Sequence, residues 1–230
     1  ANPNITFDQM NSYFKMSPVI GSYNMSMNPN ITPDIVKSNP RFPWVKTGLC
    51  GNPNFTWNDC KDFIGSLRNT YNISRNPNIT IDIVQRNKHV GWDSVGLSQN
   101  PNINIKYYRT NKKFLHMNHI SANKNITIND IEKNLDLKWD WDGVALNPNI
   151  TQDYASTKKG LSYNVNILAN PIINIEKVGS RFNKNREVMK YVSQNPNISY
   201  KFIEDHLDYA WDWDEVLRNP MTNAYEKYME

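Results

Sequence analysis

The chain contains 230 residues, of which 39% are hydrophobic and 21% are charged, and its formal net charge is +4. A charge this small for the length does not by itself indicate a nucleic-acid partner. The two cysteines argue against a disulfide framework, and no apolar run is long enough for a transmembrane helix. No secretory signal is visible either. Length alone then suggests one or two domains.

A five-residue motif recurs along the whole chain, and its clearest form is Asn-Pro-Asn-Ile-Thr at 147–151. The leading asparagines are Asn2, Asn28, Asn52, Asn76, Asn100, Asn123, Asn147, Asn170, Asn195 and Asn219. Their successive distances are 26, 24, 24, 24, 23, 24, 23, 25 and 24 residues. A fixed period of this size is typical of a repeat array. We therefore predict a single array over 1–230, with a repeat starting near each of these asparagines.

Each motif predicts a tight turn that leads into a helix. Proline sets φ at the second position, and asparagine tolerates the third. The fifth position always holds a residue that favours helix N-caps, whose side-chain oxygen accepts from a free backbone N–H. The predicted caps are Thr6, Thr32, Thr56, Thr80, Asn104, Thr127, Thr151, Asn174, Ser199 and Asn223. Seven residues after four of these caps stand Asn39, Asn87, Asn111 and Asn134, where a left-handed residue could end the helix.

The fourth motif position predicts the core. A residue just before an N-cap can pack on the residue four after that cap, in a hydrophobic staple. Nine of ten such pairs are apolar, as in Ile150 with Ala155, and only Thr222 with Lys227 is not. The position three before each leading asparagine is also apolar throughout. Its residues are Met25, Leu49, Ile73, Leu97, Ile120, Val144, Ile167, Val192 and Val216.

These patterns predict an all-α fold, a right-handed α-solenoid of about nine to ten helix pairs, each helix having roughly seven to nine residues. The alternative is a β-solenoid like that of leucine-rich repeats, which have a similar period. That fold needs an apolar residue five before each asparagine, and only four of nine positions provide one. The N-caps favour helices.

The residues that could carry chemistry have structural interpretations. Trp139-Asp140-Trp141-Asp142, and the same four residues at 211–214, predict one inward Trp, one Trp at the rim and Asp near a helix start. His116 and His119 have helical spacing for a metal, but no third ligand stands near them. Cys50 and Cys60 fit small core positions. The Asn-x-Ser/Thr triplets coincide with the caps, which favours caps over glycosylation. We expect no enzyme, metal or cofactor.

Two sets of residues are candidates for binding. Exposed aromatic anchors are expected at Trp57, Tyr200 and Tyr209, because interfaces favour Trp and Tyr. A basic and aromatic patch contains Tyr107, Arg109, Lys112 and Lys113. The first set predicts a scaffold for a protein partner or for self-assembly, without membrane or small-molecule substrate. The second supports the alternative, a nucleic-acid-binding solenoid, since aromatics beside cations can stack bases and hold phosphate.

The units at 28–44 and 139–151 resemble the Asn-Pro-Asn-Ile-Thr repeat proteins of mimivirus-like giant DNA viruses, which infect amoebae. The resemblance covers essentially the whole chain, and the copies at 123 and 170 depart from the motif. It implies a viral repeat protein with no catalytic residues to transfer. It also implies a location in the virion or in the cytoplasm of the infected cell.

Overall fold

The structure is a computed structural model that describes residues 5–16, 22–67, 69–162, 164–175, 185–219 and 221. This part of the chain is helical and contains no strand. The all-α prediction is therefore confirmed. Most helices are shorter than expected, with four to seven residues, because a turn or loop follows each of them within the short period.

Two helices follow most motifs in the described part of the chain, and we call them the first and the second helix of a repeat. The first helices are α1 (Phe7–Met16), α3 (Pro33–Ser38), α5 (Trp57–Cys60), α7 (Ile81–Arg86), α9 (Ile105–Asn111), α11 (Ile128–Glu132), α13 (Gln152–Thr157) and α15 (Tyr200–Asp205). The second helices are α2 (Ser22–Ser26), α4 (Lys46–Gly51), α6 (Tyr71–Arg75), α8 (Ser94–Gln99), α10 (Met117–Ser121), α12 (Trp141–Leu146), α14 (Arg186–Gln194) and α16 (Trp213–Arg218). Two 3-10 segments complete the fold, Lys61–Ser66 after α5 and Val165–Ala169 in place of a second helix.

The fifth motif residue lies at the start of the first helices. A side-chain oxygen accepts from the backbone N–H three residues later at Thr32, Thr80, Asn104, Thr127, Thr151 and Ser199. At Thr6 and Thr56 the backbone N–H also donates to the side chain three residues on, Gln9 or Asp59. Asn223 and residues 176–184, which follow the predicted cap Asn174, lie outside the described residues.

The predicted core positions are buried with few exceptions. Ile31, Ile126 and Ile150 at the fourth motif position are 0% exposed, whereas Ile5 is 38% exposed. Three before the asparagine, Ile167 is only half-buried, and its neighbour Leu168 takes the core place in the 3-10 segment. The predicted staple residues Val178, Thr222 and Lys227 lie outside the described part.

The sequence predicts one array, and the structure divides into two compact units, 1–125 and 126–230. In the first unit the second helices pack on one another in chain order, α2 on α4, α4 on α6, α6 on α8 and α8 on α10. In the second unit α12 packs on segment 165–169, which packs on α14, and α14 packs on α16. Each unit therefore has a layer of second helices built from successive repeats.

The first helices end without a left-handed residue, which corrects the prediction for four asparagines. Asn39 and Asn87 have φ of −127° and −118°, and Met221 is the only described non-glycine residue with positive φ. The side-chain Nδ2 instead donates to the carbonyl four residues earlier, at 2.7–2.9 Å, in all four. The amide thus brings a side-chain donor to a carbonyl of the last turn without a left-handed residue.

The loop between the two helices is fixed by tryptophan. The indole N–H of Trp44, Trp92, Trp139 and Trp211 donates to the carbonyl five residues earlier, at 2.8–3.0 Å. In the two Trp-Asp-Trp-Asp stretches the first Trp is buried, whereas Trp141 is half-buried and Trp213 is 51% exposed. Asp140 and Asp212 are the N-caps of α12 and α16. The structural interpretation of these stretches is therefore confirmed.

Candidate functional site

The leading asparagine of each motif from Asn52 to Asn219 links its repeat to the preceding one. Nδ2 of Asn76 lies 2.8, 3.0 and 3.1 Å from the carbonyl oxygens of Cys50, Asn52 and Phe55. Asn52, Asn100 and Asn195 repeat this pattern with three carbonyls, and Asn123, Asn170 and Asn219 do so with two. We call this series the asparagine ladder. It reaches within each unit from one turn to the next.

The other atoms of the motif hold the turn itself. Oδ1 of Asn76 accepts the backbone N–H of Asn78 at 2.8 Å, and its backbone carbonyl accepts from Ile79 at 2.9 Å. Nδ2 of Asn78 donates to Pro53 and Phe55 of the preceding turn. The asparagine at the third motif position therefore belongs to the ladder as well. Its side-chain nitrogen, the atom that glycosylation would modify, already has structural partners.

A buried serine makes a second link between repeats. Ser74 and Ser98, two before a leading asparagine, accept the backbone N–H of Asp93 and His116, the N-caps of the next second helix. Ser26 and Ser193 do the same, and all four are 0% exposed. Sequence reasoning overlooked both links, although the recurrence of Asn and Ser at fixed positions was the available signal.

The predicted binding residues lie at separate places. Trp57 is half-buried, with its ring 5.8 Å from Trp92, and Tyr209 is half-buried against Trp211, Phe202 and His206. The expectation that both rings are exposed is therefore wrong, because they pack on the tryptophans of the loops, and their role as anchors stays a prediction. Tyr200 is 53% exposed, as expected.

The basic patch is only partly accessible. Tyr107 is half-buried, and burial raises the pKa of its hydroxyl. Arg109, Lys112 and Lys113 are exposed at the end of α9 and in the loop that follows it. Phe114, which follows these lysines, is 46% exposed. The patch thus offers cations and one accessible ring at a single loop.

A chain of polar contacts runs across the second helices of the first unit. The hydroxyl of Tyr71 donates to Oε1 of Gln99 at 2.7 Å, and Nε2 of Gln99 lies 3.3 Å from Nδ1 of His119. The guanidinium of Arg75 lies 5.5 Å from the Tyr71 ring centroid and donates to its hydroxyl. Tyr23 accepts from Nδ2 of Asn72 at 2.7 Å. We call Tyr23, Tyr71, Asn72, Arg75, Gln99 and His119 the polar stripe.

Glycines let the helices beneath the polar stripe approach closely. A Cβ at Gly96 of α8 would lie 2.5 Å from the Tyr71 carbonyl, and a Cβ at Gly48 of α4 would lie 2.9 Å from the Tyr23 carbonyl. Gly51 would place a Cβ 3.0 Å from that of Asn72. In both cases the carbonyl that the glycine approaches belongs to a stripe tyrosine on the preceding second helix. The pair Tyr71 and Gly96 lies 48 residues after the pair Tyr23 and Gly48.

The charge differs strongly between the two units. Residues 1–125 contain 14 Lys and Arg against 6 Asp and Glu, a net charge of +8, and residues 126–230 contain 12 against 16, a net charge of −4. Within the first unit, helices α2, α4, α6, α8 and α10 contain no Asp or Glu. The modest total of +4 conceals this asymmetry, which a sequence count over the halves would have shown.

The ionisable groups with shifted pKa values have structural partners. Hydrogen bonds from Thr56 lower the pKa of Asp59, which is part of a helix cap. The hydrogen bond with Cys50, followed by burial, raises the pKa of the Cys60 thiol. Lys158 and then Tyr154 lower the pKa of Glu132. These shifts follow from contacts that hold helices together.

Among the described residues, no group of three or more His, Cys, Asp or Glu side chains is placed to hold a metal ion. His116 and His119 have ring centroids 6.2 Å apart, and each contacts a polar side chain of α8, Ser94 or Gln99. A search over the same residues finds no helix long and apolar enough to cross a membrane. Comparisons with protein-family models, curated proteins and solved structures gave no match.

Proposed function

We propose that this protein is a non-enzymatic α-solenoid that acts as a scaffold for binding another protein. The observation that carries the proposal is that recurrent positions hold the repeats together, while the other positions vary from copy to copy. Recurrent residues are occupied by contacts between repeats, as Asn76 is by three carbonyls of the preceding turn. In repeat arrays, positions that do not hold the repeat together form an extended surface for partners.

The surface positions support one specific partner better than a repeated ligand. The residues one before the leading asparagines from Asn28 to Asn123 are Met27, Gly51, Arg75, Gln99 and Ala122, which all differ. A ligand with one unit per repeat would need the same side chains at each step. Exposed Tyr23 and Tyr200 add aromatic surface of the kind that interfaces favour.

The second candidate function is nucleic-acid binding, and the net charge of +8 on residues 1–125 favours it. Arg109, Lys112 and Lys113 would contact phosphates, and the exposed Phe114 ring beside them would stack on a base. Phosphate binding weakens steeply as salt rises, because bound counterions are released. Salt dependence therefore distinguishes the two functions.

The setting proposed for the scaffold comes from the motif resemblance. Membership of the Asn-Pro-Asn-Ile-Thr repeat proteins would place the chain in a giant virus, as a virion component or as an effector in the cytoplasm of the infected cell. Its partner would then be another virion protein, a host protein or a second copy.

Affinity purification from infected amoebae tests the scaffold function. The tagged chain is recovered after nuclease treatment at physiological salt, and bound proteins are identified by mass spectrometry. We expect a defined protein in stoichiometric amount that survives the nuclease. Recovery of the chain alone would contradict a hetero-partner and favour self-assembly. Binding that disappears with nuclease would favour the nucleic-acid alternative.

A further inference from the structure

The polar stripe is the surface of the first unit best suited to a partner. We propose that it binds an acidic, Asp- or Glu-containing segment of the partner protein, a proposal that rests on the scaffold function above. The stripe carries hydroxyl, amide, imidazole and guanidinium groups, and the five helices beneath it have no carboxylate. A segment with carboxylates therefore meets the exposed Arg75 guanidinium without repulsion from these helices.

The first supporting observation is charge. Arg75 is exposed, and among the described residues it forms no ion pair, so its guanidinium is held by the Tyr71 ring and hydroxyl alone. The surrounding unit has a net charge of +8, which favours approach of an acidic partner. A guanidinium held in place can donate two parallel hydrogen bonds to a carboxylate.

The second observation is preorganisation. The contacts Arg75–Tyr71, Tyr71–Gln99 and Gln99–His119 fix the side chains across three successive second helices, α6, α8 and α10. Side chains that are already ordered lose less conformational entropy when a partner binds. The glycine contact at Gly96 keeps α6 and α8 close enough for the Tyr71 hydroxyl to reach Gln99.

The composition of the stripe favours a protein segment over nucleic acid. Arg75 is the one permanently charged residue among the six, whereas binding to a phosphate backbone is driven by several Lys and Arg that each neutralise a phosphate. The neutral groups of Tyr71 and Gln99, which are half-buried, match peptide N–H and carbonyl groups. The denser cations at Arg109, Lys112 and Lys113 lie outside the stripe.

The test measures binding of a fluorescent twelve-residue polyglutamate peptide to the full chain and to matched variants. Gln99→Glu adds a negative charge within the stripe. Gln85→Glu adds the same charge at an exposed position of α7. We expect Gln99→Glu to raise the dissociation constant about tenfold and Gln85→Glu less than about twofold. A second pair, Arg75→Gln and Lys88→Gln, should show the same contrast.

Equal losses in both members of a pair would overturn the proposal, because general charge attraction would then explain the binding. Tighter binding of a twelve-residue oligodeoxythymidine, lost in Gln99→Glu, would also overturn it in favour of nucleic acid. Self-association of the chain that Gln99→Glu abolishes would make a second copy the occupant. A protein captured from infected cells equally by wild type and Gln99→Glu would refute the stripe while leaving the scaffold function intact.

Discussion

At the residue scale, the side chain that matters most is the leading asparagine, because it uses both ends of its amide. Its oxygen holds the local turn, and its nitrogen reaches the preceding turn, as Asn76 shows. The local role could be predicted, since Asn-Pro-Asn favours a turn. The second role is not visible in one motif, and its only signal in the sequence is the recurrence of asparagine at a fixed period.

Replacing Asn76 with Asp should separate the two roles. The carboxylate keeps the oxygen that accepts from Asn78, but it faces three carbonyl oxygens without a proton to donate. We expect Asn76→Asp to lower the free energy of unfolding by about 3–5 kcal/mol, the cost of an unpaired buried charge. Urea titration measures it, with exposed Asn69→Asp as the control. Similar small effects in both variants would contradict the ladder.

His206 takes the place that asparagine holds in other repeats. Its Nδ1 lies 2.8 Å from the Phe202 carbonyl, four residues earlier, just as Nδ2 of Asn87 contacts the Ile83 carbonyl. The imidazole therefore donates from Nδ1. We expect His206→Ala to lower the free energy of unfolding by about 1 kcal/mol, and His206→Asn to recover most of this loss. Thermal unfolding of the two variants measures this difference. Equal melting temperatures of His206→Ala and His206→Asn would show that the lost stability does not come from the hydrogen bond.

At the element scale, the helix starts and the buried face were predictable and the helix lengths were not. N-cap residues and apolar spacing are local signals, and they located Thr80 and Leu97 correctly. Helix length depends on where the loop must fold back, which the side chains of Trp92 and Asn87 decide through hydrogen bonds to backbone carbonyls within the same repeat. The half-buried state of Trp57 escaped prediction because its packing partner Trp92 is 35 residues away.

The contact between α6 and α8 should not tolerate a methyl group. Gly96→Ala places Cβ 2.5 Å from the Tyr71 carbonyl oxygen, which belongs to the backbone and cannot rotate away. We expect a loss of about 1–3 kcal/mol in the free energy of unfolding. Gly91→Ala is the control, because nothing lies within 4 Å of a Cβ there. A neutral Gly96→Ala in denaturant titration would show that the two helices can separate freely.

A charged contact joins α11 and α13. Glu132 accepts from Lys158 at 2.8 Å and from the Tyr154 hydroxyl at 2.6 Å, and these contacts lower the pKa of its carboxyl. The stabilisation is therefore complete above the usual glutamate pKa and disappears as pH falls through the lowered value. We expect Glu132→Gln to be less stable than wild type at about pH 7, and the difference to vanish once the pH falls below the lowered pKa of Glu132. A pH-independent difference would assign the effect to packing.

At the scale of the whole molecule, stability should be distributed between neighbouring repeats within each unit. Ile150 is 0% exposed, and Ile150→Asp would bury a charge without a partner. We expect a loss of several kcal/mol, with amide hydrogen exchange rising first in residues 128–175, because each repeat contacts its neighbours. Unchanged protection there would contradict a core shared between repeats. Thr151→Ser, which keeps the cap hydroxyl beside it, is the control.

The asparagine ladder also bears on how such a chain can change its length. In each link of the ladder the donor lies in one motif and the acceptors lie in the preceding motif or two residues before it, as with Asn100 and the carbonyls of Ser74, Asn76 and Ile79. Removing or duplicating one whole period inside a unit brings an equivalent donor against equivalent acceptors, whereas a partial period does not. Unequal recombination between neighbouring copies would thus yield chains that still fold, with new surface residues brought side by side.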